Sequence, residues 1–359
     1  MCDPLQGESE IERNGNNRMK LFGSDVGVDL GTATLRMSLK GKGVVLRVPS
    51  ILAVEKPSGR VLQVGQEALK MLGRTPANLA AIRPVKQGVI SDYDMAVKLL
   101  REHLRGILPF STVKPRLLFS VPGSISSVEE RAVVQAGLQA GARKVFLMEA
   151  PLAAALGAGL PIHEPAGRMV VDIGAGTTDI AVLSLGGVCR AASIRMGGDD
   201  MRDAIVRYVR RKHGVLIGEN MAEDAKIRIG CLKADGERSC EVRGRDLLTG
   251  LPRLLALREE EMPEALEESS LLILDAIRSV LEQTPPEMVA DISRSGITLT
   301  GGGSRLRGLP QALEEHAHMP VMLADDGEDC VIAGMNQALN RLDEMQDGPL
   351  NLMRRKQLS

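Results

Sequence analysis

Two short segments of this chain carry almost the same message: Val28-Asp29-Leu30-Gly31-Thr32-Ala33-Thr34 and Val171-Asp172-Ile173-Gly174-Ala175-Gly176-Thr177-Thr178-Asp179. Each ends an apolar β-type run on a carboxylate and turns at once through glycine and hydroxyl residues. Such a turn can cradle a phosphate, because glycine lets backbone N–H groups approach an anion closely and threonine hydroxyls donate to it. The aspartate can hold a hydrated divalent cation against the same anion. A single Asp-x-Gly-x-Thr is also an ordinary hairpin turn. Two copies, each opening an α/β-patterned half, are what constrain the fold.

From Val26 the chain reads as strands and turns: Val26 to Leu30, Leu35 to Leu39, a Gly41-Lys42-Gly43 turn, Val44 to Val48 and Ser50 to Val54. Helical spacing follows, clearest from Met95 to Leu104, before Leu117 to Val121 returns as a buried strand. Ser126-Ser127-Val128-Glu129 has the form of a capping box, and Pro151 suits the first turn of an Ala-rich helix. The second half repeats the opening with Met169 to Asp172, Ile180 to Leu185 and Val188 to Ile194, an internal duplication in pattern. Helices are expected over Asp199 to Lys212, Ala222 to Ile229 and Glu259 to Leu281, with Glu259-Glu260-Glu261 as an acidic first turn. Ile297-Thr298-Leu299-Thr300 then runs into Gly301-Gly302-Gly303-Ser304 ahead of another helix. This is a third nucleotide-edge signal, since a helix N-terminus adds partial positive charge.

The 359 residues allow about two domains of ~150 residues. With 45 basic and 46 acidic residues the chain has no global field for polyanions, and no Trp, two Tyr and four Phe leave little to stack on bases. Nucleic acid is therefore not an expected partner. Five cysteines without CxxC spacing suggest neither a disulfide framework nor a zinc site, so the chain reads as cytoplasmic. No apolar run reaches the ~18 residues of a membrane span. Residues 1–18 read as a disordered extension, with Met19-Lys20-Leu21-Phe22 as an alternative start.

Taken in order, these segments resemble the actin-like ATPases, and within them the MreB family of bacterial actins, the rod-shape-determining proteins. The resemblance runs from Asp25 to about Leu342. It also rests on Lys40-Gly41-Lys42-Gly43, Gly73-Arg74-Thr75-Pro76, Ile82-Arg83-Pro84, Gly197-Gly198-Asp199, Arg243-Gly244-Arg245-Asp246-Leu247 and Thr284-Pro285-Pro286-Glu287. It implies an α/β fold with two ribonuclease-H-like domains around a nucleotide cleft. The first would span 19–163, with 51–94 inserted and 328–345 completing it. The second would span 164–327, with 200–253 inserted, before a flexible tail at 346–359. The implied cofactors are ATP and Mg²⁺. Gly31, Thr32 and Ala33, with Gly174, Ala175, Gly176 and Thr177, would clasp the β- and γ-phosphates. Asp29 and Asp172 would orient Mg²⁺ through its waters. Glu223 and Lys226 would meet the ribose and adenine, although spacing alone reads them as a solvated i,i+3 pair. Gly301, Gly302, Gly303 and Ser304 would flank the adenosine.

The chain departs from the family at Met148-Glu149-Ala150-Pro151. In MreB-like proteins, and at the matching place in DnaK-type chaperones, a glutamate immediately precedes this proline and positions the attacking water. Here that residue is Ala150. A methyl group cannot orient or deprotonate water, and general-base contributions are typically ~10²- to 10⁴-fold. Glu149 is a rival carboxylate one residue upstream, with helix-entry electrostatics as its other reading. Thr177 can still align a water. The expectation is ATP binding with weak or very slow hydrolysis. Thr34, Ala175, Asn220-Met221 and Gly334-Met335-Asn336-Gln337 also depart from the usual residues, which suggests a paralogue with tuned nucleotide handling.

Gly106-Ile107-Leu108-Pro109-Phe110 places large apolar residues in an expected loop. By the resemblance Ile107, Leu108 and Phe110 would enter the inner leaflet of the cytoplasmic membrane, with Lys114 and Arg116 adding ~1 kcal/mol each on anionic lipid. The other reading folds Ile107 and Phe110 back onto the domain core. The implied partners are further copies of the chain in homopolymer filaments, the membrane's inner face and the cell-wall elongation machinery. A non-polymerising ATP-binding adaptor is the alternative function.

Overall fold

The computed structural model describes residues 24–108 and 113–343. The expected extension, the tail and Phe110 lie outside the described residues.

Two five-stranded mixed sheets organise the chain. The first contains β1 (Asp25–Leu30), β2 (Thr34–Leu39), β3 (Gly43–Pro49), β4 (Arg116–Val121) and β5 (Lys144–Glu149), in the order β5-β4-β1-β2-β3. The second contains β6 (Arg168–Ile173), β7 (Thr178–Ser184), β8 (Gly187–Ile194), β9 (Ile297–Thr300) and β10 (Val321–Leu323), in the order β10-β9-β6-β7-β8. In both, the first three strands form an antiparallel meander and the last two add in parallel on the far side of the first. The duplication seen in the sequence is therefore a duplication of topology. Strand β6 shows why: Met169, Val170, Val171 and Ile173 are all buried, so both of its faces need cover.

A three-stranded sheet is inserted at the same point of each half, between its third and fourth strands. One is built from Leu52–Glu55, Arg60–Val64 and Leu79–Ile82, the other from Val215–Ile217, Ser239–Asp246 and Pro252–Arg258. Two helices, Ala150–Gly157 and Cys330–Ala338, cross between the large sheets. They share a core with Leu118, Phe146 and Met148 of the first sheet and Val170, Ala181 and Leu183 of the second. The crossing is backbone to backbone. A Cβ at Gly157 would overlap the Cys330 carbonyl, and one at Gly334 the Ala153 carbonyl. Close packing of this kind tolerates no added methyl.

Local signals place the helix starts. Asp92 Oδ1 accepts from the Met95 N–H at 3.1 Å, and Ser126 with Glu129 forms the anticipated capping box. Two expectations change. The helix read as Met95 to Leu104 runs Tyr93–Ile107, and Ile107 and Leu108 are partly buried against the first sheet's core rather than standing out in a loop. Glu259 lies in a 3₁₀ turn ahead of helix Met262–Glu282 and is fully buried, accepting from Arg307 NH1 at 2.8 Å. It directly follows strand Pro252–Arg258, so its side chain enters the interior instead of solvent.

Among the described residues, no helix is long and apolar enough to cross a membrane.

Candidate functional site

The twin turns meet. In the first, the Gly31 N–H donates to Thr34 O at 3.1 Å; in the second, the Gly174 N–H donates to Thr177 O at 2.8 Å. A Cβ at Gly176 would sit 2.5 Å from Thr32 Oγ1 and 2.9 Å from Gln87 Cα, so only glycine lets the turns approach this closely. Thr32 Oγ1 accepts from the Gly88 N–H at 3.1 Å, which ties the small Val85–Lys86/Val89–Ile90 hairpin to the same point. A cavity of about 680 Å³ opens beside this junction. Its walls include Asp29, Gly31, Thr32 and Ala33 from one half and Asp172, Gly174, Ala175, Gly176 and Thr177 from the other. That volume lies within the usual range for small-molecule sites.

Buried carboxylates converge on the cavity. Asp172, the penultimate residue of β6, accepts from Thr300 Oγ1 at 2.7 Å and has its pKa pushed up to about 7. Burial is the main cause, Asp179 and Asp29 add repulsion, and Thr300 and Arg36 oppose it. Asp29, the penultimate residue of β1, accepts from Ser120 Oγ at 2.8 Å; burial raises its pKa against the pull of Arg36 and Ser120. Asp179 is raised by burial as well, although the Gly123 N–H donates to its Oδ1 at 3.0 Å and Thr177 Oγ1 to its Oδ2 at 3.1 Å. Anionic oxygens held out of water in one cavity fit a hydrated, oxygen-seeking divalent cation.

Glu223 and Lys226 both line the opposite wall. They are the i,i+3 pair that spacing suggested, 2.8 Å apart, and Lys226 Nζ also donates to Gly198 O at 2.7 Å. The Glu223 side chain remains 40% exposed, while its Oε2, turned to Lys226, is buried. Gly301, Gly302 and Gly303 complete that side. Gly301 has φ +80° and its Cβ would overlap the Ile173 carbonyl, so both conformation and space demand glycine. Ser304 is not part of the wall: it is buried, and its Oγ donates to Gly301 O at 2.6 Å. Its role is to fix the glycine turn.

Ala150 lines the cavity at the start of helix Ala150–Gly157. Glu149, the last residue of β5, is buried and outside the cavity wall. Adjacent residues at the end of a strand point to opposite faces, which separates the two. Among the cavity residues without a role in the sequence reading are Asp179 and Arg36. Asp179 holds the Thr177 hydroxyl. Arg36 lies directly across from Asp29 on β2, 3.5 Å from Asp29 Oδ2, with its Nε donating to Asp329 Oδ1 at 3.1 Å. A period-two pattern with one charged residue in an apolar strand was the available signal.

Duplicated sheets joined by two crossing helices, with paired glycine-threonine turns facing one cavity, define an actin-like protein. The family model described as MreB/Mbl protein matches residues 23–347. The chain belongs to the MreB/Mbl family of actin-like cell-shape proteins. It is 45% identical to the cell shape-determining protein Mbl of Bacillus subtilis over 331 residues, covering 90% of this chain and 98% of Mbl. It is 46% identical to MreB of Escherichia coli over 337 residues, covering 92% of this chain and 97% of that one. The crystal structure of Spiroplasma citri MreB5 bound to ADP superimposes with a TM-score of 0.86 at 32% identity, covering 91% of this chain and 99% of MreB5.

Proposed function

We propose that this chain binds ATP with Mg²⁺ between its two halves, assembles with further copies into filaments at the inner face of the cytoplasmic membrane, and hydrolyses ATP slowly. Such filaments would organise the cell-wall elongation machinery. One observation supports the catalytic part above all: both glycine-threonine turns line the cavity, while the residue before Pro151 in its wall is Ala150.

In this reading the backbone N–H groups of the Gly31 to Ala33 and Gly174 to Thr177 turns, with the Thr32 hydroxyl, bind and orient the β- and γ-phosphates. Asp29 and Asp172 hold Mg²⁺ through water, and the ion when bound neutralises phosphate charge. Glu223 accepts from the ribose hydroxyls, and Lys226, anchored on Gly198 O, sits beside the base. Thr177, fixed by Asp179, aligns a water that has no nearby general base at position 150. Bound nucleotide bridges the halves, so closure and filament-competent shape depend on it.

Sedimentation of the full chain with ATP, with ADP and without nucleotide tests the assembly step. Pelleting that requires nucleotide is the expected result. A soluble species under all three conditions would overturn the filament reading and favour the non-polymerising ATP-binding adaptor.

A further inference from the structure

Of the cations that line the cavity, Arg36 is the one ion-paired to Asp29, where a divalent ion would be expected to act. Arg36 lines the cavity, its side chain is 14% exposed, and it stands across the β1–β2 ladder from Asp29. NH1 lies 3.5 Å from Asp29 Oδ2. Nε donates to Asp329 Oδ1 at 3.1 Å, and Asp329 is itself ion-paired to Arg47. Asp329 immediately precedes helix Cys330–Ala338, so the guanidinium is tethered to the packed junction between the two sheets. An arginine is charged at every physiological pH and carries five N–H donors. Its two carboxylate contacts engage only two of its nitrogens. The fork therefore retains donors for a phosphate oxygen.

Resting on the nucleotide reading above, we propose that Arg36 is a built-in counter-ion for the nucleotide phosphates and for Asp29, and that it takes over part of the work of the divalent cation. The ligand class is a nucleoside di- or triphosphate. Two carboxylates facing a polyphosphate without a cation repel it, which is why a hydrated Mg²⁺ is ordinarily needed between them. Arg36 offsets one of those charges permanently, at a fixed position and without a free-ion equilibrium. Removing the divalent ion should then cost this chain less affinity than it costs a variant lacking the guanidinium.

The test is equilibrium binding of a fluorescent ATP analogue to the full chain, in Mg²⁺ and in excess EDTA, for wild type, Arg36→Leu and Arg36→Lys. The quantity read is the ratio of Kd in EDTA to Kd in Mg²⁺. The expected ratio is at least about tenfold smaller for wild type than for Arg36→Leu, with Arg36→Lys between the two because it keeps the charge but not the fork. Equal ratios for wild type and Arg36→Leu, to within about threefold, would overturn the proposal, as would a lysine variant that behaves like leucine. Wild type alone also decides it should Arg36→Leu fail to fold: loss of more than about a hundredfold in affinity on chelation contradicts a built-in counter-ion. Absence of binding by wild type even with Mg²⁺ would overturn the nucleotide reading itself, and the inference with it.

Discussion

Arg36 and Asp179 occupy the same position in the two duplicated hairpins, one directly opposite Asp29 and the other directly opposite Asp172. The two halves thus answer the same geometric question with opposite charges. On the second side the carboxylate receives the Thr177 hydroxyl and the Gly123 N–H, and so organises the turn around a buried anion. On the first side a guanidinium faces the equivalent aspartate.

Asp179→Ala should leave the Gly123 N–H and the Thr177 hydroxyl without their acceptor, at a cost of about 2–3 kcal/mol from orphaned polar groups. Thermal unfolding without nucleotide checks this, and a midpoint unchanged from wild type would contradict it.

Gly301 is held at φ +80° against the Ile173 carbonyl, where any Cβ overlaps backbone. Gly301→Ala should cost about 2–4 kcal/mol through backbone strain and overpacking, and should shift the glycine turn that lines the cavity. The measured effect should be a lower melting temperature together with weaker nucleotide binding. Gly302→Ala, whose Cβ would meet only the Glu328 side chain at 3.7 Å, serves as the tolerant control.

Asp172 provides a pH signature. Its folded-state pKa of about 7 lies above the ordinary carboxylate value of 3.8, chiefly through burial. Between those values the folded chain holds a proton that the unfolded chain releases, so this group's contribution makes stability fall as pH rises towards 7. Asp172→Asn keeps an acceptor for Thr300 and removes the titration. In EDTA and without nucleotide, the melting temperature of the variant relative to wild type should increase from about pH 5 to about pH 8. A constant difference would show that Asp172 is not buried as described.

Much of this architecture was legible in the sequence because it is local. Strand, carboxylate, glycine and threonine sit next to one another in the chain, and the meander that follows each turn repeats in hydrophobic pattern. The capping box at Ser126 and the proline at the start of helix Ala150–Gly157 are likewise short-range. What escaped depends on register and on distant segments. Arg36 meets Asp29 only through strand pairing, and meets Asp329 across 293 positions of chain. Ser304 belongs to the right glycine cluster, yet its hydroxyl is turned onto the Gly301 carbonyl, which no residue pattern specifies. Glu259 reads as part of an acidic first helical turn until its burial beside Arg307 is known. Ile107 carried both meanings, and its partial burial against the first sheet depends on tertiary packing that no local pattern specifies.

The membrane prediction rests on Ile107, Leu108 and Phe110 with Lys114; Arg116, expected to face lipid as well, is 12% exposed and ion-paired to Asp25 and Asp343. Filaments of the full chain should float with anionic liposomes, and Phe110→Ser should reduce flotation several-fold, since a short apolar anchor is marginal and is amplified by filament avidity. Neutral liposomes should recover less protein than anionic ones. Flotation unaffected by both changes would exclude this segment as the anchor.

On the proposed function, ATP binds between the two halves and turns over slowly because Ala150 stands where a carboxylate would activate water. Phosphate release from saturating Mg-ATP, measured for wild type and Ala150→Glu at matched polymer concentration, tests it most directly. The predicted result is slow release by wild type and an increase of about 10²-fold or more when the carboxylate is placed in the cavity wall. Equal rates for the two proteins would contradict the account.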